Sequence, residues 1–331
     1  MRIRKLIIVS ASLAVLILVG SLYGIYSPRG HETEAPVEIR PGSSLRSIAS
    51  ILAEMDIISN RYLFMAAAKL SDKGQHLQSG LYLFPKQLSM MDALTILAEG
   101  SHQASRDVTI REGLTLRQIA RDIQKQTGMP ADTILKLGRD RAFIAELGLT
   151  VSSLEGYLLP ETYRVRYDES PRTLLTRMVE SSEAIFKDDA LRRMRSLGRS
   201  KHDILIMASL VEGETRLPEE RARVAGVYYN RLRRGMLLQA DPTIQYIIPD
   251  GPRRLLYRDL SINNPYNTYM YSGLPPGPVN NPGKASILAA LSPESHDFLY
   301  FVADGLGGHK FTRNIEEHNR AVAAYRKSRR K

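Results

Sequence analysis

The chain has 331 residues, more than a typical domain of about 100–200, so a main domain with smaller parts is expected. Lysine and arginine total 46 against 35 aspartate and glutamate, a net charge of +11 that points to a polyanionic neighbour: nucleic acid, anionic lipid or an acidic polymer. The absence of cysteine excludes disulfides, thiolate metal sites and a cysteine nucleophile.

Arg2, Arg4 and Lys5 lie in a short basic tail, residues 1–5, ahead of the uncharged run Leu6 to Tyr26. That run is about 21 residues, enough to cross a hydrocarbon core of ~30 Å as a helix. It predicts one transmembrane helix at 6–26 with a cytoplasmic N-terminus, in a bacterial inner membrane, and the rest of the chain on the periplasmic side. A cleaved signal peptide is the rival reading, but Tyr23 to Tyr26 offers no convincing small-x-small site. Beyond that membrane the polyanions are the lipid surface and the cell wall. No zinc-finger spacing or aromatic RNA-binding signature speaks for nucleic acid, so none is expected as a partner.

Residues 27–36, "SPRGHETEAP", read as a polar linker. After it, "VEIRPGSSLRSIASIL" (37–52) is echoed by "VTIREGLTLRQIARDI" (108–123). Each copy predicts a short alternating strand, a glycine turn and a helix, with Ser43 or Ser44 and Thr115 placed as N-caps. "SGLYLFP" (79–85) and "EGYLLP" (155–160) form a second echo, so both copies read as strand, helix, helix, strand. The first copy falls in a subdomain at 37–106 and the second opens a larger domain at 107–331. Pro171 to Leu197 reads as a charged amphipathic helical stretch, Pro218 starts a helix that Gly235 closes, and Asp241 to Pro282 is a long irregular region. A strand near Phe298 to Val302, a "GLGGH" turn and a helix from about Asn314 to Lys327 end the chain, giving a mixed α+β class.

The chemistry concentrates around "LIMASLVEGET" (205–215). Asp203 is placed to cap an almost wholly apolar helix that ends at Glu212. Burial and the negative end of the helix dipole both disfavour a carboxylate there, a setting that keeps a proton available for a general acid. The competing reading is a structural ion pair with Arg216, Arg221 or Arg231, and the residues alone leave the two open. Glu214 reads as orienting or substrate-contacting in preference to a second catalytic carboxylate. Gln239, Asp241 and Thr243 follow the next helix, and Tyr266, Asn267 and Tyr269 lie in a loop whose amides, hydroxyls and aromatic faces suit sugars. The seven histidines include no HExxH, Ser209 is not in a G-x-S-x-G elbow, and the glycine-rich turn lacks a phosphate-loop ending, so no metal or cofactor is expected.

"ASLVEGET" (208–215), "RVAGVYYNRLRRGMLLQADPTIQY" (223–246), "NPYNTYMYSGLPPGPVNNPG" (264–283), "LYFVADGLGGHKFTRNIEEHN" (299–319) and "LEGYLLPETY" (154–163) together resemble the MltG/YceG-like endolytic murein transglycosylases. The resemblance covers essentially the whole chain. It implies an N-terminal membrane helix, a LysM-like βααβ module at 37–106 and a YceG-like catalytic domain at 107–331. It also implies non-hydrolytic cleavage of the bond between N-acetylmuramic acid and N-acetylglucosamine in nascent peptidoglycan, leaving 1,6-anhydro ends. Glu212, on the first acid of the E-x-E-T motif, is the implied general acid and then base. Glu214, Gln239, Asp241, Thr243, Tyr266, Asn267 and Tyr269 are the expected substrate contacts, and penicillin-binding synthases the expected protein partners. Gly213 stands where relatives often carry a larger polar residue, and "PETY" where many have "PDTY". A non-catalytic peptidoglycan-binding scaffold and a hydrolytic muramidase, with Glu214 or Asp241 activating water, are the alternatives.

Overall fold

The computed structural model describes residues 2–30, 35–249, 251 and 253–328, with residues 2–9, 29, 30 and 35 described by their backbone alone. The chain is mixed α+β and divides into two compact units, Met1–Arg106 with Arg164–Glu169, and Asp107–Tyr163 with Ser170–Lys331.

The first unit begins with one continuous helix, α1 (Arg2–Tyr26). Among the described residues no helix is long and apolar enough to cross a membrane. Side chains of α1 are described only from Ser10, so part of the expected span lies outside them, as do residues 31–34 of the expected linker. A two-residue strand, β1 (Arg29–Gly30), precedes β2 (Ala35–Ile39), α2 (Leu45–Glu54), α3 (Arg61–Leu70) and β3 (Gly80–Phe84). β2 pairs antiparallel with β3, setting Val37 opposite Tyr82. The alternation read from the sequence buries Val37 and Ile39 with Ile48, Leu52, Phe64, Tyr82 and Phe84 in one core. Ser44, the second of the two serines named, caps α2 by accepting the Ser47 N–H. β4 (Gln87–Leu88) pairs with β1, and α4 (Met90–Glu99) follows.

The second copy of the repeat closes differently. β5 (Ser105–Thr109) and α5 (Leu116–Thr127), capped by Thr115 and Gln118, form as predicted. The partner strand is β6 (Thr162–Arg166), not residues 155–160, which are irregular and buried. The reason is local. Gly156 takes a φ of +82°, and the Gly156 and Leu158 N–H groups donate to Asn281 Oδ1, so neither is free for a sheet ladder.

Helices α6 (Ala131–Leu137), α7 (Arg141–Glu146), α8 (Pro171–Glu183) and α9 (Asp189–Leu197) follow. The stretch read as one helical segment from 171 to 197 thus breaks in two, with Asp188 turning the chain at a φ of +37°. The core of the second unit is α10 (Lys201–Glu214), packed against α11 (Pro218–Arg233), α12 (Asp241–Ile247) and α13 (Lys284–Leu291). α12 is a correction: Pro242 fits its first turn, so the expected irregular region opens with a helix. The hairpin of β7 (Tyr300–Ala303) and β8 (His309–Thr312) turns through the glycine-rich segment, and α14 (Ile315–Ser328) ends the described chain.

Candidate active site

Every residue from Ile204 to Val211 in α10 is buried. The helix starts one turn earlier than the sequence argument placed it. Ser200 is the N-cap, its Oγ accepting the Asp203 N–H, while the Asp203 carboxylate accepts the Ser200 N–H at 2.9 Å. It also ends later, so Glu214 is still helical. Glu212 and Glu214 therefore point about 200° apart around the axis.

The Glu212 side chain is 7% exposed. Its Oε2 accepts the Gly283 N–H at 3.0 Å and the Ser286 hydroxyl at 2.7 Å. Gly283 is the N-cap of α13, so the acid lies at the positive end of a second helix as well as the C-terminal end of its own. Its Oε1 is 3.6 Å from Arg221 Nη2, and the same guanidinium nitrogen is 3.3 Å from Glu112 Oε2. The apolar helix end argued from the sequence is thus lined with donors, and of the three arginines named there it is Arg221 that pairs with Glu212. One glycine makes room beside this cluster: a Cβ on Gly283 would lie 1.9 Å from Glu112 Oε1, whereas one on Gly113 would meet Glu212 Cγ at an ordinary contact distance of 3.6 Å.

Glu214 faces the other way. Its Oε1 accepts the Tyr228 hydroxyl at 2.6 Å, and its carboxyl also accepts the Asp241 backbone N–H. Burial pushes this carboxyl up to about 7; the Tyr228 hydrogen bond opposes the shift and the Asp241 charge adds to it. Between the two acids Gly213 lies against α12, where a Cβ would come within 2.5 Å of Pro242 Cγ. That contact accounts for the small residue in this chain.

The other expected residues separate into two kinds. Asp241 is exposed and accepts the Tyr269 hydroxyl at 2.6 Å. Gln239 is exposed on a backbone at φ +49°, its N–H donating to the Thr268 carbonyl. Tyr266 packs on Tyr246 with ring centroids 5.0 Å apart. Thr243 and Asn267, by contrast, are fully enclosed. The Thr243 hydroxyl donates to the Ala240 carbonyl, and Asn267 Nδ2 donates to the Leu260 and Ile262 carbonyls. These two hold the loops in place and have no surface for a sugar, which corrects the contact expected of them.

A buried pair that the sequence reading passed over supports the turn under Glu212. Asn281 Nδ2 donates to the Leu114 carbonyl and to Glu155 Oε1, its backbone N–H donates to Leu114, and its carbonyl accepts the Gly113 N–H. Glu155 Oε1 also accepts the Leu116 N–H at 2.9 Å, at the start of α5. Burial pushes the Glu155 carboxyl up to about 7, against its hydrogen bond from Leu116 and the Arg139 charge. Glu155 and Asn281 sit inside the quoted segments "LEGYLLPETY" and "VNNPG", but only the fold shows that they meet.

The geometry and the sequence converge on one class of protein. The chain belongs to the YceG-like family, whose model matches residues 37–324. Among its relatives, the endolytic murein transglycosylase of Bacillus subtilis is 34% identical over 309 residues, covering 89% of this chain and 85% of the relative. That of Streptococcus pneumoniae is 31% identical, and the match spans 87% of this chain but 58% of the longer relative. In fold, the crystal structure of a yceG-like protein from Listeria monocytogenes superposes with a TM-score of 0.61 at 32% identity, over 88% of this chain and 99% of that one.

Proposed function

We propose that the chain is an endolytic murein transglycosylase that cuts the bond between N-acetylmuramic acid and N-acetylglucosamine without water, leaving 1,6-anhydro ends, with Glu212 as its acid and base. The observation that carries this reading is the asymmetry of the Glu212 carboxyl. Oε2 is held by the Gly283 N–H and the Ser286 hydroxyl, which fixes the group, while Oε1 accepts no hydrogen bond among the described residues and lies 3.6 Å from Arg221 Nη2. Oε1 is therefore the oxygen placed to give a proton to the leaving sugar oxygen and then to take one from the muramic C6 hydroxyl. The sugar's own acetamido group replaces a second carboxylate, as in substrate-assisted glycosidases. In this reading Gln239, Asp241, Tyr266 and Tyr269 line the sugar path, with Glu214 in support of Asp241.

α1 anchors the chain in the bacterial inner membrane, N-terminus cytoplasmic, with the residues that follow it outside the cytoplasm. Support comes from its length and from the large apolar side chains it exposes, Leu13, Leu16, Ile17 and Leu22 among them. The βααβ arrangement of β2, α2, α3 and β3 serves as the LysM-like glycan-binding module. Anchored beside strand synthesis, the enzyme has penicillin-binding synthases as its partners. The test is mass spectrometry of purified peptidoglycan treated with the detergent-solubilised full chain and with Glu212→Gln. Products lighter by one water than reducing ends, absent with the variant, support the reading. Reducing ends make the protein a muramidase, and binding without cleavage by the folded wild type makes it a scaffold.

A further inference from the structure

The second unit holds a cavity of about 520 Å³ walled by α9, the first turns of α11 and one side of α13. Three cations line it, Lys187, Arg193 and Arg221, against one acid, Asp189. That acid is already neutralised. It lies 3.2 Å from Arg192 and 2.5 Å from Arg193, and the Arg193 hydrogen bond holds its carboxyl below the usual range. Lys187 is exposed and has no ion-pair partner among the described residues. Arg221 is 8% exposed, is shared between Glu112 and Glu212, and keeps an Nε with no hydrogen-bond acceptor among the described residues. Behind the charges the wall is apolar, with Ile185, Ala289 and a half-exposed Leu288.

This chemistry differs from that of the Asn- and Tyr-rich loop at 263–271. Neutral sugars call for amides, hydroxyls and aromatic faces, whereas a free lysine beside two guanidinium groups, each already shared with a carboxylate of this chain, over an aliphatic floor calls for carboxylates carried on short alkyl side chains. We infer that the cavity binds an acidic peptide borne on the glycan strand, making the peptide a recognition element of the substrate. The inference rests on the murein reading above. It joins peptide to chemistry through Arg221, which lines the cavity and lies 3.6 Å from Glu212. A carboxylate that draws on this guanidinium weakens its hold on Glu212, so the acid is released from its ion pair when a peptide-bearing strand is bound.

The experiment uses the full chain in detergent micelles, with Glu212→Gln as the background for binding. Two probes are compared by calorimetry: murein strands carrying their peptides, and the same strands stripped of them. The peptide-bearing strand is expected to bind at least about tenfold tighter. Adding Lys187→Glu with Arg193→Gln should collapse the ratio of the two dissociation constants to less than about threefold. Equal binding of both strands overturns the inference, and so does a ratio untouched by the two substitutions in a variant that melts like its parent. The wild-type chain is assayed for cleavage of both strands alongside. If it cleaves neither, the murein reading fails; if it cleaves both while the binding ratio is flat, only the peptide site fails.

Discussion

Glu212 and Glu214 leave the same helical turn, and a sequence pattern treats them almost alike, yet α13 and α11 with α12 give them different surroundings. Glu212 meets fixed donors: a backbone N–H, a hydroxyl and a guanidinium. Glu214 meets a phenol, an N–H and the charge of Asp241, and its carboxyl is pushed up to about 7. A shifted carboxyl marks a candidate site but does not say which group touches the substrate. What the contrast teaches is that the end of a buried helix does not set an acid's role; the elements packed against each face do.

The largest effect separates the two acids. Glu212→Gln should lower turnover by roughly 10³-fold, within the range for loss of a general acid, with little change in melting temperature. Glu214→Gln should cost less than about tenfold and erase any step in the pH–rate profile near pH 7 that the Glu214 carboxyl causes. The reverse ranking in a side-by-side assay would exchange their roles.

The next effect probes the room around Glu212. Gly283→Ala places a Cβ where Glu112 Oε1 now lies, 1.9 Å away, so either Glu112 leaves Arg221 or the Gly283 N–H leaves Glu212. A fall in kcat of about tenfold or more is expected, larger than that of Ser286→Ala, which removes one hydroxyl donor and opens no clash. Wild-type kcat from Gly283→Ala would show that Glu112 swings aside with no cost to the Glu212 site.

Glu155 tests the support beneath the same turn through stability. Its carboxyl ordinarily titrates near 4.5 and is pushed up to about 7 in the fold by burial. A raised acid contributes stability that is complete below its unfolded value and lost as pH climbs through its folded value. Thermal melts should therefore show wild type losing stability between about pH 5 and pH 8. Glu155→Gln keeps an Oε1 for Leu116 and Asn281 and carries no charge, so the loss should shrink, with the remainder coming from Glu214. An unchanged pH dependence would remove Glu155 from this account.

Much of the fold follows from local pattern. The apolar run 204–211 dictates a buried helix, and the alternation at Val37 and Ile39 with its echo at Val108 and Ile110 dictates paired strands. Thr115 with Gln118 makes a capping box readable from four residues. The misplacements come from distant partners. Residues 155–160 carry a strand-like pattern, yet the Gly156 and Leu158 N–H groups are claimed by Asn281, over a hundred residues away in the chain. The surroundings of Glu212 were hidden for the same reason: Gly283 and Ser286 lie 71 and 74 residues from it. α12 escaped notice because proline, read as a loop former, here occupies a helix's first turn. Thr243 and Asn267 have the residue types of sugar contacts, and only burial shows that they brace the loops.

The smallest effect concerns the Glu214 side. The Tyr269 hydroxyl donates to Asp241, whose charge in turn helps to raise Glu214. Tyr269→Phe keeps the aromatic face and deletes only that donor, leaving an exposed Asp241 to bond water instead. Loss of one such hydrogen bond costs about 1 kcal/mol or less at an exposed site. If Tyr269 positions Asp241, kcat should fall by less than about threefold with KM unchanged, since stacking on a sugar does not need the hydroxyl. If the hydroxyl itself bonds substrate, KM should rise by about tenfold at constant kcat. Steady-state kinetics on one defined glycan therefore decides whether the Asp241 arm acts on the acid or on the sugar.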